Sequence, residues 1–289
     1  MATTLGTNFV DYLKGSELAQ TMVDVGASKA DLSSGNIFLR GMLGGGFLAI
    51  ATSISFFAAV QTGLPIVGAL LFPVGFMMIN ILGVDLITGY FAIVSAAYMY
   101  KRISLGQLLR CFFFVWLGNL VGSVLYAFML WISFSTAGAA PDATGLSALI
   151  MKIGVAKTTH YEQFGGAGFI TAFTKAMLCN WMVTLGVVLP MASRTVIGKI
   201  GATYFPIFAF FAMGYEHMVV NMFIIPAAMM FGAPITMSDF WIGNELPVTL
   251  GNFCGGFLFT GLAIGLIYYA RKPGEESIAA MAQPAPARP

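Results

Sequence analysis

Within Met213-Gly-Tyr-Glu-His-Met-Val-Val-Asn-Met222 a carboxylate, an imidazole and an amide stand in an otherwise apolar run. Imidazole is the one side chain whose unperturbed pKa lets it give or take a proton near neutrality. Facing a small anion, His217 can donate a hydrogen bond, supply positive charge, or protonate a weak acid so that a neutral molecule passes a dry region. The run from about 200 to 231 is long enough to cross a bilayer, and ionisable groups at that depth are costly unless they face a cavity or a partner. Glu216, His217 and Asn221 therefore mark a site in a membrane protein. A second polar cluster, Gly83-Val-Asp85-Leu-Ile-Thr88, interrupts another long apolar run.

These clusters need a membrane frame, and the composition provides one. The chain is 58% hydrophobic and 9% charged, with a mean hydropathy of +0.85, against roughly 25% charged residues in soluble domains. A net charge of +2 over 289 residues gives no reason to expect a nucleic-acid partner. Cys111, Cys179 and Cys254 are scattered in apolar runs without a C-x-x-C pair and read as small buried hydrophobes. No metal motif and no cofactor is expected. A membrane anchor for a redox enzyme would need axial haem ligands, and the chain has only His160, in a link, and His217. A membrane hydrolase would need a nucleophile with a base, or H-E-x-x-H.

The expected fold is an all-α integral membrane protein with apolar segments near 37–60, 66–100, 107–135, 167–193, 199–232 and 246–270. Residues 1–35 carry Phe9, Tyr12, Leu13, Met22 and Val23 among polar neighbours, which suits an amphipathic segment on the membrane surface; a docked terminal helix or a lid are its possible roles. Residues 36–271 form the transmembrane domain. Residues 272–289 read as a disordered tail by composition. No cleavable signal is visible, so the first span serves for insertion. Lys101, Arg102, Arg194, Lys199, Arg271 and Lys272 follow alternate segments, which puts them and both termini in the cytoplasm of a multi-pass inner-membrane protein. The links at 61–65, 136–166 and 232–246 then face out.

The second and fifth segments are too long for one straight helix and read as broken at their Gly-x-acid elements. Unwound backbone at membrane depth requires protein or a wet cavity to satisfy it. The halves also repeat. Gly83-x-Asp85 matches Gly214-x-Glu216 at an offset of 131 (214 − 83), Leu117-Gly-Asn-Leu-Val-Gly122 matches Leu250-Gly-Asn-Phe-Cys-Gly255 at 133 (250 − 117), and Arg40-Gly-Met-Leu43 matches Lys175-Ala-Met-Leu178 at 135 (175 − 40). Three spans per half make this an inverted 3+3 repeat, an architecture in which broken helices line a substrate path between the halves.

Each polar residue has a bland reading and a functional one. His217 could be a satisfied core histidine; its place at a break, beside Glu216, favours facing substrate. Asp85 and Glu216 are expected to accept hydrogen bonds from loose backbone at the breaks. Asn119, Asn180, Asn221 and Asn252 can bridge helices, serve the carboxylates and His217, or meet an anion, and Thr88 can present a hydroxyl to the path. Lys157 either draws anions into an outer funnel or is a solvated loop lysine. Arg40 and Lys175, near helix starts, read as snorkelling anchors. Phe72, Phe76 and Phe210 are either core or a constriction that excludes hydrated ions.

Gly214-Tyr-Glu-His-Met-Val-Val-Asn-Met222, Leu178-Cys-Asn-Trp-Met-Val183, Asp85-Leu-Ile-Thr88 and the paired Leu-Gly-Asn elements resemble the formate/nitrite transporter family, and Cys179-Asn-Trp-Met-Val-Thr-Leu-Gly186 is similar to its formate-transporting members. The resemblance implies a homopentamer in which each subunit has its own aquaporin-like path, open to formate and coupled or not to protons. His217 falls on the family's central histidine, Asn180 and Asn221 on its amides, and Thr88 on the threonine of the first break. The implied slits are Phe72 with Phe210 on the outer side, and Phe76, Leu86 and Ile87 on the inner. The family pattern has Leu at the Phe76 position and often Phe at the Ile87 position, so bulk has exchanged sides here. Lys157 precedes Asn180 by 23 (180 − 157), a longer spacing than the family's vestibule lysine keeps; Gln163 and Phe164, at the family's distance, carry no charge. Nitrite, hydrosulfide, acetate and lactate are the implied alternatives to formate.

Overall fold

A computed structural model describes residues 12–140 and 144–269, and its regular structure among them is helical. Helix α1 spans Gly15–Ala30 and opens where the Lys14 backbone N–H donates to Glu17 Oε2 at 2.9 Å. Its apolar residues recur at helical spacing, and Ala19, Met22, Val23, Gly26 and Ala30 are all buried. They pack on α5 (Ile87–Met99), so closely that a Cβ at Gly26 would collide with the Ile93 carbonyl. From Gly15 onward the N-terminal segment is thus docked on the helical body through its apolar stripe. Phe9 and the tail from 272 onward lie outside the described residues.

The first span is α2 (Ser34–Thr62), capped by the Ser33 hydroxyl, which accepts from Asn36 N–H, and closed by Gly63 at φ +68°. The second predicted segment is three helices: α3 (Pro65–Leu71), α4 (Pro73–Leu82) and α5. Pro73 removes an N–H and interrupts the run at Phe72; Gly83, at φ +70°, ends it. Helix α6 (Leu105–Phe134) begins with a reciprocal Ser104–Gln107 cap. The link expected over 136–166 contains α7 (Gly145–Lys157) and α8 (Thr159–Glu162). Helix α9 (Gly165–Val188) runs on through a 3-10 turn to Ala192. The fifth segment divides into α10 (Val196–Ala212) and α11 (Met218–Met230). The last starts at Asp239, inside the expected link, and carries π-helical turns at Asp239–Glu245 and Phe257–Leu262 around α12 (Leu246–Gly256) and before α13 (Ala263–Tyr268).

Five helical stretches are long and apolar enough to cross a membrane: Ser34–Thr62, Pro65–Leu82, Leu105–Phe134, Gly165–Ala192 and Asp239–Tyr268. The perimeter is apolar, with Ile197 78% and Phe205 70% exposed, as a surface facing lipid or another copy requires. Close packing rests on glycine. Gly118 and Gly122 of α6 lie on the Phe38 and Met42 carbonyls of α2, where a Cβ would overlap them. Gly251 and Gly255 of α12 lie the same way on Phe173 and Met177 of α9. The offset is 133 for the glycines (251 − 118) and 135 for the carbonyls (173 − 38), so one small-residue crossing occurs in both halves.

Candidate functional site

The chain leaves α10 at Met213 and turns through Gly214 at φ +62°. It then runs extended to His217, the residue that caps α11. His217 Nδ1 accepts from the Val220 backbone N–H at 3.3 Å. In the neutral ring the hydrogen is then on Nε2, which lies 3.2 Å from Thr88 Oγ1. Phe210 stacks on the imidazole, centroids 5.6 Å apart. Glu216 turns the other way: its Oε2 accepts from Lys157 Nζ at 2.7 Å and Asn221 Nδ2 at 2.9 Å, and its Oε1 from Tyr161 O–H at 2.9 Å. Asn221 Nδ2 also donates to Asn244 Oδ1 at 2.8 Å. Glu216 thus holds three side-chain donors from α7, α8 and α11, not the loose backbone expected.

Backbone at the break is held by an amide instead. Asn252 Oδ1 accepts from Met218 N–H at 2.9 Å, while Nδ2 donates to the carbonyls of Ala176 at 2.8 Å and Glu216 at 2.9 Å. At the first break Asn119 does the same, accepting from Ile87 N–H at 2.8 Å and donating to Gly41 at 2.7 Å and Asp85 at 2.9 Å. The offsets are 133 for the amides (252 − 119), 131 for the breaks (218 − 87) and 135 for the carbonyls across (176 − 41). Asp85 is paired with Lys29 of α1 at 2.5 Å, and Lys29 also donates to the Gly83 carbonyl at 3.1 Å. Arg40 Nη1 reaches that carbonyl at 2.9 Å, so Arg40 completes the break and is not a snorkelling anchor.

The two breaks meet at the Thr88–His217 contact, with a cavity on either side. The larger, about 1200 Å³, is lined by Lys157, His160, Lys175, Phe210, Glu216 and His217 among others. The smaller, about 260 Å³, lies toward α1 and is lined by Lys29, Phe76, Asn80, Asp85, Leu86 and Lys199 among others. Phe72 and Phe210 touch edge to face at 5.5 Å, and Phe211 stacks on Phe72 at 3.9 Å. Phe76 and Leu86 line the smaller cavity, whereas Ile87 is buried and lines neither. Asn180 Nδ2 donates to the Thr88 carbonyl at 3.1 Å and the Asn252 carbonyl at 2.6 Å. It thus fixes Thr88 from behind. Like Thr88, Asn221 and Asn252, it lines neither cavity.

Lys157 is only 14% exposed on its side chain. It is no solvated loop lysine, and its charge is spent on Glu216. Lys29, Tyr161, Asn244 and Lys175 were not singled out as site residues by sequence. One signal was present for Lys29 and Lys157: a buried acid at a helix break calls for a base, and Asp85 and Glu216 each have an upstream lysine in a helix outside the long apolar spans.

Fold and site together define a class: an all-α membrane protein whose two interrupted spans meet at a histidine between two cavities. The chain belongs to the formate/nitrite transporter family, whose model matches residues 16–266. It is 40% identical over 200 residues to a probable formate transporter of Methanothermobacter thermautotrophicus, covering 65% of this chain and 69% of that protein. With the formate channel FocA of Escherichia coli strain K12 the identity is 30% over 285 residues, covering 90% and 96%. Among solved structures, an FNT family ion channel superposes with a TM-score of 0.75 at 26% identity over 86% of this chain and 98% of that one. A pentameric formate channel with formate bound gives 0.65 at 25% identity over 81% and 97%.

Proposed function

We propose that each copy of this chain conducts formate through its own path, from the larger cavity past Phe72 and Phe210 to His217 and on through the smaller cavity. The observation that carries this reading is the position of His217 Nε2: it is the polar hydrogen presented where two interrupted helices meet between two cavities. The names of the relatives, formate transporter and formate channel, support the substrate. The pentameric neighbour and the apolar perimeter support a homopentamer in lipid. The two halves are read as an inverted repeat of three spans each. Lys29 and Lys199 at the smaller cavity support placing α1, and with it both termini, on the cytoplasmic side of the inner membrane. Residues 1–35 are read as the amphipathic N-terminal segment, 36–271 as the transmembrane channel domain and 272–289 as the cytoplasmic tail.

A bare anion is costly to place among phenylalanine rings. At rest the ring offers formate an Nε2–H hydrogen bond, in exchange for the one made to Thr88. To hand over a proton, it must first gain one on Nδ1, which ends the bond from Val220 N–H. Proton-linked passage is therefore tied to loss of the α11 cap, whereas passage of the anion leaves it intact. Asn119 and Asn252 hold the backbone of the breaks, Asp85 supports the first through Lys29, and Asn180 and Asn221 position Thr88 and Glu216.

The test is uptake of labelled formate into proteoliposomes at clamped membrane potential, with and without an inward proton gradient. Accumulation that needs the gradient supports proton-linked passage; downhill flux indifferent to it supports an anion channel. No formate flux, with nitrite, hydrosulfide, acetate or lactate carried instead, overturns the substrate.

A further inference from the structure

The lysine expected to draw anions in is neutralised: Lys157 Nζ is 2.7 Å from Glu216 Oε2. Of the carboxylate side chains, Glu216 is the one that lines the larger cavity, and Lys157 uses its charge. Lys175 lines the same cavity, and among the described residues no carboxylate lies within ion-pair distance of it. Its ammonium stands 5.6 Å from the centroid of the Tyr161 ring. That ring is itself fixed, since its hydroxyl donates to Glu216 Oε1 at 2.9 Å. Among the lysine and carboxylate side chains that line this cavity, the charge left without an opposite partner is therefore the one on Lys175.

Depth makes this placement unusual. Lys175 is ten positions beyond Gly165, where α9 starts (175 − 165), or about 15 Å along the axis. An ammonium so far into a span is tolerated where it faces water or a partner. A cation over an aromatic face gains only about 0.5–2 kcal/mol, so the cavity must hydrate it. We propose that Lys175 is a capture site for small monovalent anions in the larger cavity, where incoming anions gather before reaching His217. Three freely turning donors on a compact charge do not discriminate between anions as a planar guanidinium would. Lys175 raises local anion concentration, and selection is left to the aromatic constriction. This inference rests on the transport reading above and assigns the first step of that path.

The test is formate entry across a concentration series, at low and raised ionic strength, in cells expressing the wild type, Lys175→Met or Lys175→Arg. Methionine keeps the apolar stem and removes the charge. The expected result for K175M is a half-saturating concentration raised on the order of tenfold at low ionic strength, with unchanged maximal flux. The gap should narrow as salt screens the field, and K175R should restore capture. Equal half-saturation in K175M and wild type overturns the proposal. If the wild type carries no formate, it is the transport reading that fails, and bromide-soaked crystals decide the capture site. Anomalous density beside Lys175 Nζ in the wild type that is lost in K175M supports it, and a wild type without such density overturns it.

Discussion

At the first break Leu86 occupies the position that His217 occupies at the second, an offset of 131 (217 − 86), and Tyr90 stands where Asn221 stands (221 − 90). The rest of the two breaks corresponds: a left-handed glycine, a buried acid with a lysine, and an asparagine amide that closes the gap in the backbone. The shared parts are what any interrupted helix at membrane depth requires. At the residue that caps the following helix, what is not shared is an imidazole, which can donate a hydrogen bond where Leu86 cannot. One half thus serves as a control for the other, separating what holds a break from what acts at it.

Replacing His217 with leucine, the residue at the equivalent place, is the sharpest use of that control. H217L should abolish pH-dependent formate uptake while costing only about 1 kcal/mol for the lost cap; uptake across a pH series, beside thermal unfolding in detergent, measures both. Wild-type flux in folded H217L would remove the histidine from the path. Next comes Glu216→Ala. It strands Lys157 with no carboxylate and should cost about 3–5 kcal/mol. Asp85→Asn should cost less, about 1–3 kcal/mol, because Lys29 retains the Gly83 carbonyl. Thermal unfolding of the two variants compares them, and equal losses would break the asymmetry. Gly122→Ala and Gly255→Ala overpack equivalent crossings and should each cost about 1–3 kcal/mol, readable as matching drops in midpoint. The smallest effect is expected of Thr88→Val, which removes the resting partner of Nε2: flux should fall several-fold with its pH profile kept, as concentration-dependent uptake would show.

Both breaks, and the place of the histidine at the second, were legible in the sequence because each is local: a glycine, an acid and a polar residue inside an apolar run leave a mark that needs no tertiary information. The offsets of 131, 133 and 135 then carried over into hydrogen bonds. What was not legible depends on tertiary contacts. Lys29 lies in a helix whose docking on α5 depends on Gly26 admitting the Ile93 carbonyl, a close approach that periodicity does not encode. Lys157 and Tyr161 sit in a link whose two helices, α7 and α8, are short and mixed in polarity. Lys175 reads as an anchor by its charge, and only the cavity beside it changes that reading. The π-helical turns at Asp239–Glu245 and Phe257–Leu262 left no distinct pattern, and the last span was accordingly started too late.

The positions of the two lysines also bear on how the chain is made. Residue 29 is translated before residue 85, and residue 157 before residue 216, so each base has left the ribosome before the acid it will neutralise. Both bases lie in helices, α1 and α7, that precede the spans carrying the acids. A nascent span carrying Asp85 or Glu216 therefore enters the translocon with its counter-charge already synthesised, and the acid need never wait in lipid for a partner downstream. Exchanging base and acid within either pair would keep the final contact and reverse that order.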